Sequence, residues 1–386
     1  MQQDIVFSIF IIFAGAAVLA TFALYTRQPV LIAYIALGAL VGPFGLGWIS
    51  DPQQMVHLAD IGIIFLLFLL GLDMQPSALL AVLRKAMLVA IISSLVFFAA
   101  GFGLTQAFGF SRIDSLIIGL AMMFSSTIIG LKLLPTTVLH HKRMGELMIG
   151  LLLIQDMFAI FVLILLGVME GGSNMPVWQP FAALPLLAAG CFLLVKGVIL
   201  PLIARFDRYH EYLFILAIGW CLAVAEAAKI VGLTHEIGAF IAGVTLATSP
   251  IAQFMAISLK PLRDFFLVMF FFALGARFNI GLLTDVIVPA LLLAIIILII
   301  KPVSFRFLLG RFSERRELAW DVGFRLGQIS EFSLLIAFVA LQSALLSETG
   351  SLLIQATAII TFVISSYIVV FNYPNPIAVS DKLRRD

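Results

Sequence analysis

Apolar runs as wide as a bilayer recur along this chain and leave it few ways to fold. The first begins after Asp4 and reaches Tyr25 without a charge, and residues 292–300, just before Lys301, are uninterrupted Leu, Ile and Ala. A helix needs roughly 20 apolar residues to cross the hydrocarbon. The runs are continuous rather than alternating, which argues against barrel strands. Hydrophobic residues make up 62% of the 386 and charged residues 11%, against about 45–50% and about 25% in soluble domains. A soluble fold could not hide that much apolar surface. The expected fold class is an all-α polytopic membrane protein. A soluble enzyme, a nucleic-acid binder and a secreted disulfide scaffold are excluded. Cys191 and Cys221 lie in apolar runs and read as small buried hydrophobes, with neither a disulfide nor a transition metal expected.

The runs divide into about 13 helices, expected over 5–25, 29–47, 55–72, 79–108, 113–134, 145–168, 179–203, 210–231, 236–249, 262–275, 281–309, 318–345 and 350–371. The first is not read as a cleaved signal peptide, because no basic region precedes it. Lys and Arg gather in the odd-numbered connections and in the C-terminal tail, whereas the even-numbered connections hold only Arg112 and Arg277. The positive-inside bias therefore puts the N-terminus outside and the C-terminus in the cytoplasm, which requires an odd number of spans. Residues 1–373 are expected to form one transmembrane domain. The stretch 374–386, with Pro374 and Pro376, reads as a cytoplasmic tail or the start of a linker. The natural chain ending there and a cytoplasmic domain following are both open readings. No G-x-G-x-x-G follows a strand, so these residues carry no dinucleotide-binding domain.

A charge near the bilayer centre costs at least about 2.5–3.5 kcal/mol and defaults to function. Asp60, Lys132, Asp156, Lys196, Glu226, Lys229, Lys301, Arg306, Arg325 and Glu331 fall inside expected spans. Lys132, Lys196, Arg306 and Arg325 are near enough to helix ends to snorkel. Glu226 and Lys229, on one helix face, can neutralise each other. Asp60 reads as an early-turn residue near the outer face. Asp156 has no such account, because apolar residues flank it for turns on either side. It must face a cavity, pair with a cation or be protonated, and that is the minimal equipment for exchanging H⁺ with a cation. Lys301 is its expected basic counterpart, either bracing the site or displaced from Asp156 when a cation enters.

Two polar segments interrupt otherwise apolar spans, Phe124-Ser125-Ser126-Thr127 with Gly130, and Leu326-Gly327-Gln328-Ile329-Ser330-Glu331-Phe332-Ser333. Gly and back-bonding Ser or Thr weaken a helix, and irregular backbone at depth is tolerated only where it lines a cavity or is buried in protein. The first lies in the second span of the triplet 79–168 and the second in the second span of the triplet 281–371. These triplets start on opposite sides of the membrane, as an inverted repeat does. Paired interruptions at corresponding positions point to a transporter site. The freed carbonyls, with the hydroxyls, can replace a monovalent cation's hydration shell, and Glu331 and Lys301 can balance the opposed helix dipoles. The expected cation ligands are Asp156, Ser125, Ser126, Thr127, Gln328 and Glu331.

With these residues the chain resembles the Kef-type potassium efflux antiporters, within the second family of monovalent cation:proton antiporters. The motifs are Phe124–Thr127, Leu153-Ile-Gln-Asp156, Gly238–Gly243, Phe271–Gly275, Leu326–Phe332, Leu37–Pro43 and Leu70–Asp73, in order over nearly the whole chain. The resemblance implies the sodium/proton antiporter fold, with thirteen helices, two crossed broken helices, a rigid dimerisation domain and a mobile core. It implies a homodimer in a bacterial inner (plasma) membrane, working by elevator-type alternating access. Asp156 would be the cation and proton carrier, Gln155 would stand where electrogenic relatives have a second acid, and Lys301 would match a membrane-buried lysine. Kef systems also carry a C-terminal nucleotide-binding regulatory domain and an acidic loop near the tenth span. Residues 249–260 hold no acid.

The expected function is a secondary antiporter exchanging K⁺ or Na⁺ for H⁺. It would be electroneutral if Lys301 keeps its proton, since Gln155 cannot titrate. A ligand-gated potassium channel is the alternative; no filter motif is present. An organic-anion carrier would want unpaired basic residues. An intramembrane enzyme lacks H-E-x-x-H and G-x-S-x-G. No resident cofactor is expected: the cations and H⁺ are cargo, membrane lipid is the surrounding partner, and nucleic acid is none. His140-His141-Lys142-Arg143 reads as a solvated loop or a pH sensor.

Overall fold

The computed structural model describes residues 5–49, 53–73, 76–127, 130, 143–170, 178–206, 208–249, 252–311 and 315–374. The described residues are helical apart from connections. They begin with α1 (Ile5–Tyr25), α2 (Val30–Val41), α3 (Gln53–Asp73), α4 (Pro76–Ala107), α5 (Arg112–Met122) and α6 (Arg143–Glu170). α7 (Trp178–Leu194) runs on through a π turn, Val195–Ile199, into Leu200–Phe206. Then come α8 (His210–Ile230), α9 (His235–Leu246), α10 (Ala252–Ala276), α11 (Leu283–Arg311), α12 (Arg316–Arg325), α13 (Glu331–Gln342) and α14 (Glu348–Asn372). Each expected span has its helix. The span expected at 318–345 is two, α12 and α13, and the one at 113–134 stops at Met122 before resuming at Thr127.

Local chemistry sets several ends. Ser111 caps α5 by accepting from the Asp114 amide at 3.0 Å, and Ser347 caps α14 by accepting from Gly350 at 3.0 Å. Ser330 and Ser333 form a capping box at the start of α13. Two ends differ from expectation. α2 stops at Val41, because Gly42-Pro43 opens a turn that Gly47, at φ +67°, completes. α10 starts ten residues early, at Ala252, so Lys260, Pro261 and Arg263 are helical rather than part of a connection. A proline costs a helix one N–H but need not end it when tertiary packing holds both sides.

The helices sort into two packed groups. α1, α2, α3, α7, α8, α9 and α10 make their extensive contacts with one another, and α4, α5, α6, α11, α12, α13 and α14 do the same. We call the first the scaffold and the second the core. The scaffold is closed by glycine crossings, as membrane helices without a hydrophobic driving force require. Gly38 of α2 and Gly275 of α10 face each other so closely that an added Cβ would meet Phe272 O at 2.1 Å or Ile35 O at 2.0 Å. Gly71 of α3 and Gly243 of α9 do likewise against Phe240 O and Phe68 O, at 2.5 and 2.1 Å. Side chains of the two groups meet along an apolar seam, where Phe270 and Phe272 of α10 join Leu334 and Phe338 of α13 in one buried cluster.

Candidate cation site

The core is built around the two interruptions, which face each other. After α5, residues 123–126 leave the helix, and after α12, residues 326–330 do the same. Ser125 Oγ donates to Leu326 O at 2.9 Å, Gln328 Nε2 reaches Ser126 O at 3.5 Å, and Ser333 Oγ donates to Ala121 O. The breaks are thus stitched together by side chains that satisfy carbonyls the helices leave open. This is the crossing of two broken helices, one from each repeat.

Lys301 of α11 stands at that crossing, 0% exposed. Its Nζ donates to Phe124 O, to Gln328 O at 2.9 Å and to Ser125 Oγ at 3.2 Å. The Phe97 ring lies 5.1 Å away as a cation–π lid. Ser125 gives its own proton to Leu326 O, so all three lysine contacts need N–H donors, and only the ammonium has three. Lys301 therefore braces the breaks, one carbonyl from each. Among the described residues it makes no ion pair with Asp156.

Asp156 of α6 is 2% exposed. Thr127, the first residue after the first break, donates its hydroxyl to Asp156 at 3.2 Å to Oδ2 and 3.5 Å to Oδ1. That is its side-chain partner among the described residues. Glu331, 7% exposed in the first turn of α13, lies within electrostatic reach of it. Gln155, beside Asp156 and 0% exposed, accepts from the Ser125 amide at 3.0 Å through Oε1. Its oxygen is committed to the break and its Nε2 is buried without a partner. Gln328 is committed too. Its Oε1 accepts from Ser365 of α14 at 2.7 Å and its Nε2 donates to Arg325 O at 2.9 Å.

The expected residues therefore divide by task. Asp156 and Thr127 are hydrogen-bonded, and Glu331 lies within electrostatic reach of Asp156. Lys301, Ser125, Gln155 and Gln328 hold the crossing, and the Ser126 carbonyl faces it. Ser333 was named as the end of the second interruption, whereas Ser365 and Phe97 were not singled out in the sequence. The Ser365-Ser366 pair in an apolar run was the available signal for Ser365.

Other charges are placed differently from expectation. Arg325 does not snorkel: its side chain is 1% exposed, with Nε on Asp321 at 2.6 Å and Nη2 on Pro374 O at 2.7 Å. Burial and an adjacent carboxylate replace the bulk solvent it would otherwise reach. Glu226 pairs with His235 at 3.1 Å rather than with Lys229, because α9 starts close to the end of α8. Lys196 is exposed on the π turn and Arg306 half-buried. Asp60, in the third turn of α3, accepts from Gln342 at 3.3 Å. Lys132 and His140–Lys142 lie outside the described residues.

The family profile described as sodium/hydrogen exchanger, transmembrane, matches residues 9–371. K(+) efflux antiporter 6 of Arabidopsis thaliana is 29% identical over 82% of this chain and 54% of its own length. The putative cation/proton antiporter YbaL of Escherichia coli (strain K12) is 28% identical over 91% of this chain and 65% of its own. The chain thus spans between about half and two thirds of these relatives. Among solved structures, the sodium proton antiporter MjNhaP1 from Methanocaldococcus jannaschii shares the fold, with a TM-score of 0.65 at 17% identity, covering 95% of this chain and 96% of that one.

Proposed function

We propose, for a chain that belongs to the sodium/hydrogen exchanger transmembrane family, secondary antiport of a monovalent cation, K⁺ or Na⁺, against H⁺. One observation carries this reading. Asp156 is a carboxylate buried at the crossing of two broken helices, with a hydroxyl and no basic side chain as its partner among the described residues. An isolated buried carboxylate is unstable by several kcal/mol unless it is neutralised. A proton or a small cation can each neutralise it, and the two compete for the same oxygens. Thr127 and Glu331 would add oxygens to a bound cation, as hard monovalent ions prefer. The names of the K(+) efflux antiporters and of YbaL support the substrate class.

Competition at one carboxylate makes the exchange electroneutral. Gln155 has no proton to give, and Lys301 keeps its ammonium for the acceptors it bridges. The cation therefore enters as the proton leaves, at equal charge. Alternation follows from the core moving past the scaffold as an elevator, with Asp156 carried across. The glycine-closed scaffold is suited to be the fixed part and the homodimer contact, in a bacterial inner membrane with the N-terminus outside. A cytoplasmic nucleotide-binding domain or subunit is the proposed regulator.

Asp156→Asn tests the reading. The amide keeps the Thr127 hydrogen bond and the volume but cannot exchange a proton. In proteoliposomes the variant is expected to lose cation-dependent proton movement to background while remaining monodisperse in detergent. Pronounced exchange in the folded variant would remove Asp156 from the mechanism.

A further inference from the structure

If core and scaffold slide, they must part at their seam, and the seam carries polar links at both ends. Where α13 finishes, Gln342 Nε2 donates to Asp60 Oδ1 of α3 at 3.3 Å. One turn earlier, Phe338 is held by two residues at the end of α10. Its ring meets Phe270 edge-on with centroids 5.6 Å apart, and the Arg277 guanidinium sits 5.0 Å from its centroid. Arg277 is also within electrostatic reach of Asp60. One turn of the core is thus gripped by a ring and a guanidinium from α10 and its end, and by a carboxylate from α3. At the opposite end of α14 the seam is joined by Tyr367, whose hydroxyl donates to Thr26 O at 3.3 Å.

The grip lies between the candidate cation site and open space. Glu331 precedes Phe338 by seven residues, about 10 Å along a helix. Beyond Phe338 lies a cavity of about 400 Å³ lined from both groups, with Arg277 and Asn279 on one wall and Gln342, Glu348 and Gln355 on the other. Phe338 itself is 1% exposed and does not line it. Along α13, buried Phe338 thus stands between Glu331 and Gln342, which lines the cavity.

We propose that Asp60, Arg277, Phe338 and Gln342 form a latch that closes the cation site toward this cavity, and that its release is the step opening that face. The inference rests on the antiport reading. In it the cavity is the vestibule through which cations reach Asp156 once Phe338 withdraws from between Phe270 and Arg277. Each latch contact is individually modest, so thermal motion can break it in every turnover. A neutral amide against Asp60 suits that better than a second guanidinium would.

The test is a reversible tether. Asp60→Cys and Gln342→Cys are combined, and the protein in proteoliposomes is treated with a short bis-methanethiosulfonate. The native Cys191 and Cys221 are both buried, and each single variant serves as control for them. The unlinked double variant is expected to exchange within about threefold of wild type. Linking is expected to abolish exchange, and reduction to restore it. Exchange that continues in the linked protein overturns the latch, as does failure of the two positions to link. An unlinked double variant already silent beside an active wild type overturns it too, because a contact broken in each cycle is dispensable to part of that cycle. A silent wild type is a separate outcome: it defeats the antiport reading, and the linking yield then decides whether the two helices meet as described.

Discussion

Asp156 and Lys301 reach the same crossing from opposite repeats and meet different partners there. The lysine closes hydrogen bonds to Phe124 O and Gln328 O, backbone groups that the broken helices cannot satisfy. The aspartate receives the Thr127 hydroxyl, and no basic side chain among the described residues. This separates stability from transport at the level of single residues. Lys301→Met keeps an apolar stem near Phe97 but removes the lysine donor from both carbonyls, while Ser125 keeps its bond to Leu326 O. An unsatisfied buried polar group costs about 1–3 kcal/mol, so the variant is expected to lose thermal stability in detergent by an amount visible in a melting curve. Asp156→Asn is expected to melt close to wild type. Equal melting of Lys301→Met and wild type would show that the crossing is held by something else. The sequence placed both charges at depth because their flanks are apolar, yet it could not pair them. Depth is written in the run of neighbours, whereas azimuth and partner are set by helices far away in the chain. Arg325 is the same lesson with the opposite sign. It is close enough to a helix end to snorkel, and it turns inward because Asp321 and Pro374 O wait there.

At the scale of elements, the interruptions were legible because Ser, Thr, Gln and Gly break the apolar period at matching places in two triplets. The start of α10 was not, since Lys260, Pro261 and Arg263 read locally as a connection and only packing makes them helical. Several motifs that carried the resemblance have a structural task rather than an ion-handling one. Gly38, Gly71, Gly243 and Gly275 are points where two helix backbones touch. Gly243→Val should therefore force α3 and α9 apart. Overpacking of this kind costs about 1–3 kcal/mol, and the expected result is a reduced yield of monodisperse protein on size exclusion. Gly190→Ala in α7, where an added Cβ meets nothing within 4 Å, is the matched control and should purify like wild type. Equal yields for both would mean that the glycine crossings do not hold the scaffold together.

For the whole molecule, the division into two internally packed groups is the division the proposed elevator motion would use. The crossing, Asp156 and Lys301 all belong to one group, so the site moves as a unit if that group moves. The seam is apolar along its length and polar at its ends, which favours sliding between latched positions over continuous deformation. Fold and repeat symmetry were readable because span count, charge asymmetry and paired interruptions agree. The grouping was not, because it depends on which faces of the helices carry glycine and which carry Phe. The account turns on a single carboxylate exchanging one charge for one charge, and the most direct test is the voltage dependence of exchange. Purified protein is reconstituted with an entrapped pH dye, a proton gradient is imposed, K⁺ or Na⁺ is added, and membrane voltage is clamped at several values. Cation-driven proton movement is expected, with a reversal point that does not shift with voltage. A reversal point that moves with voltage would mean that net charge crosses in each cycle, and that Asp156 is not the sole carrier.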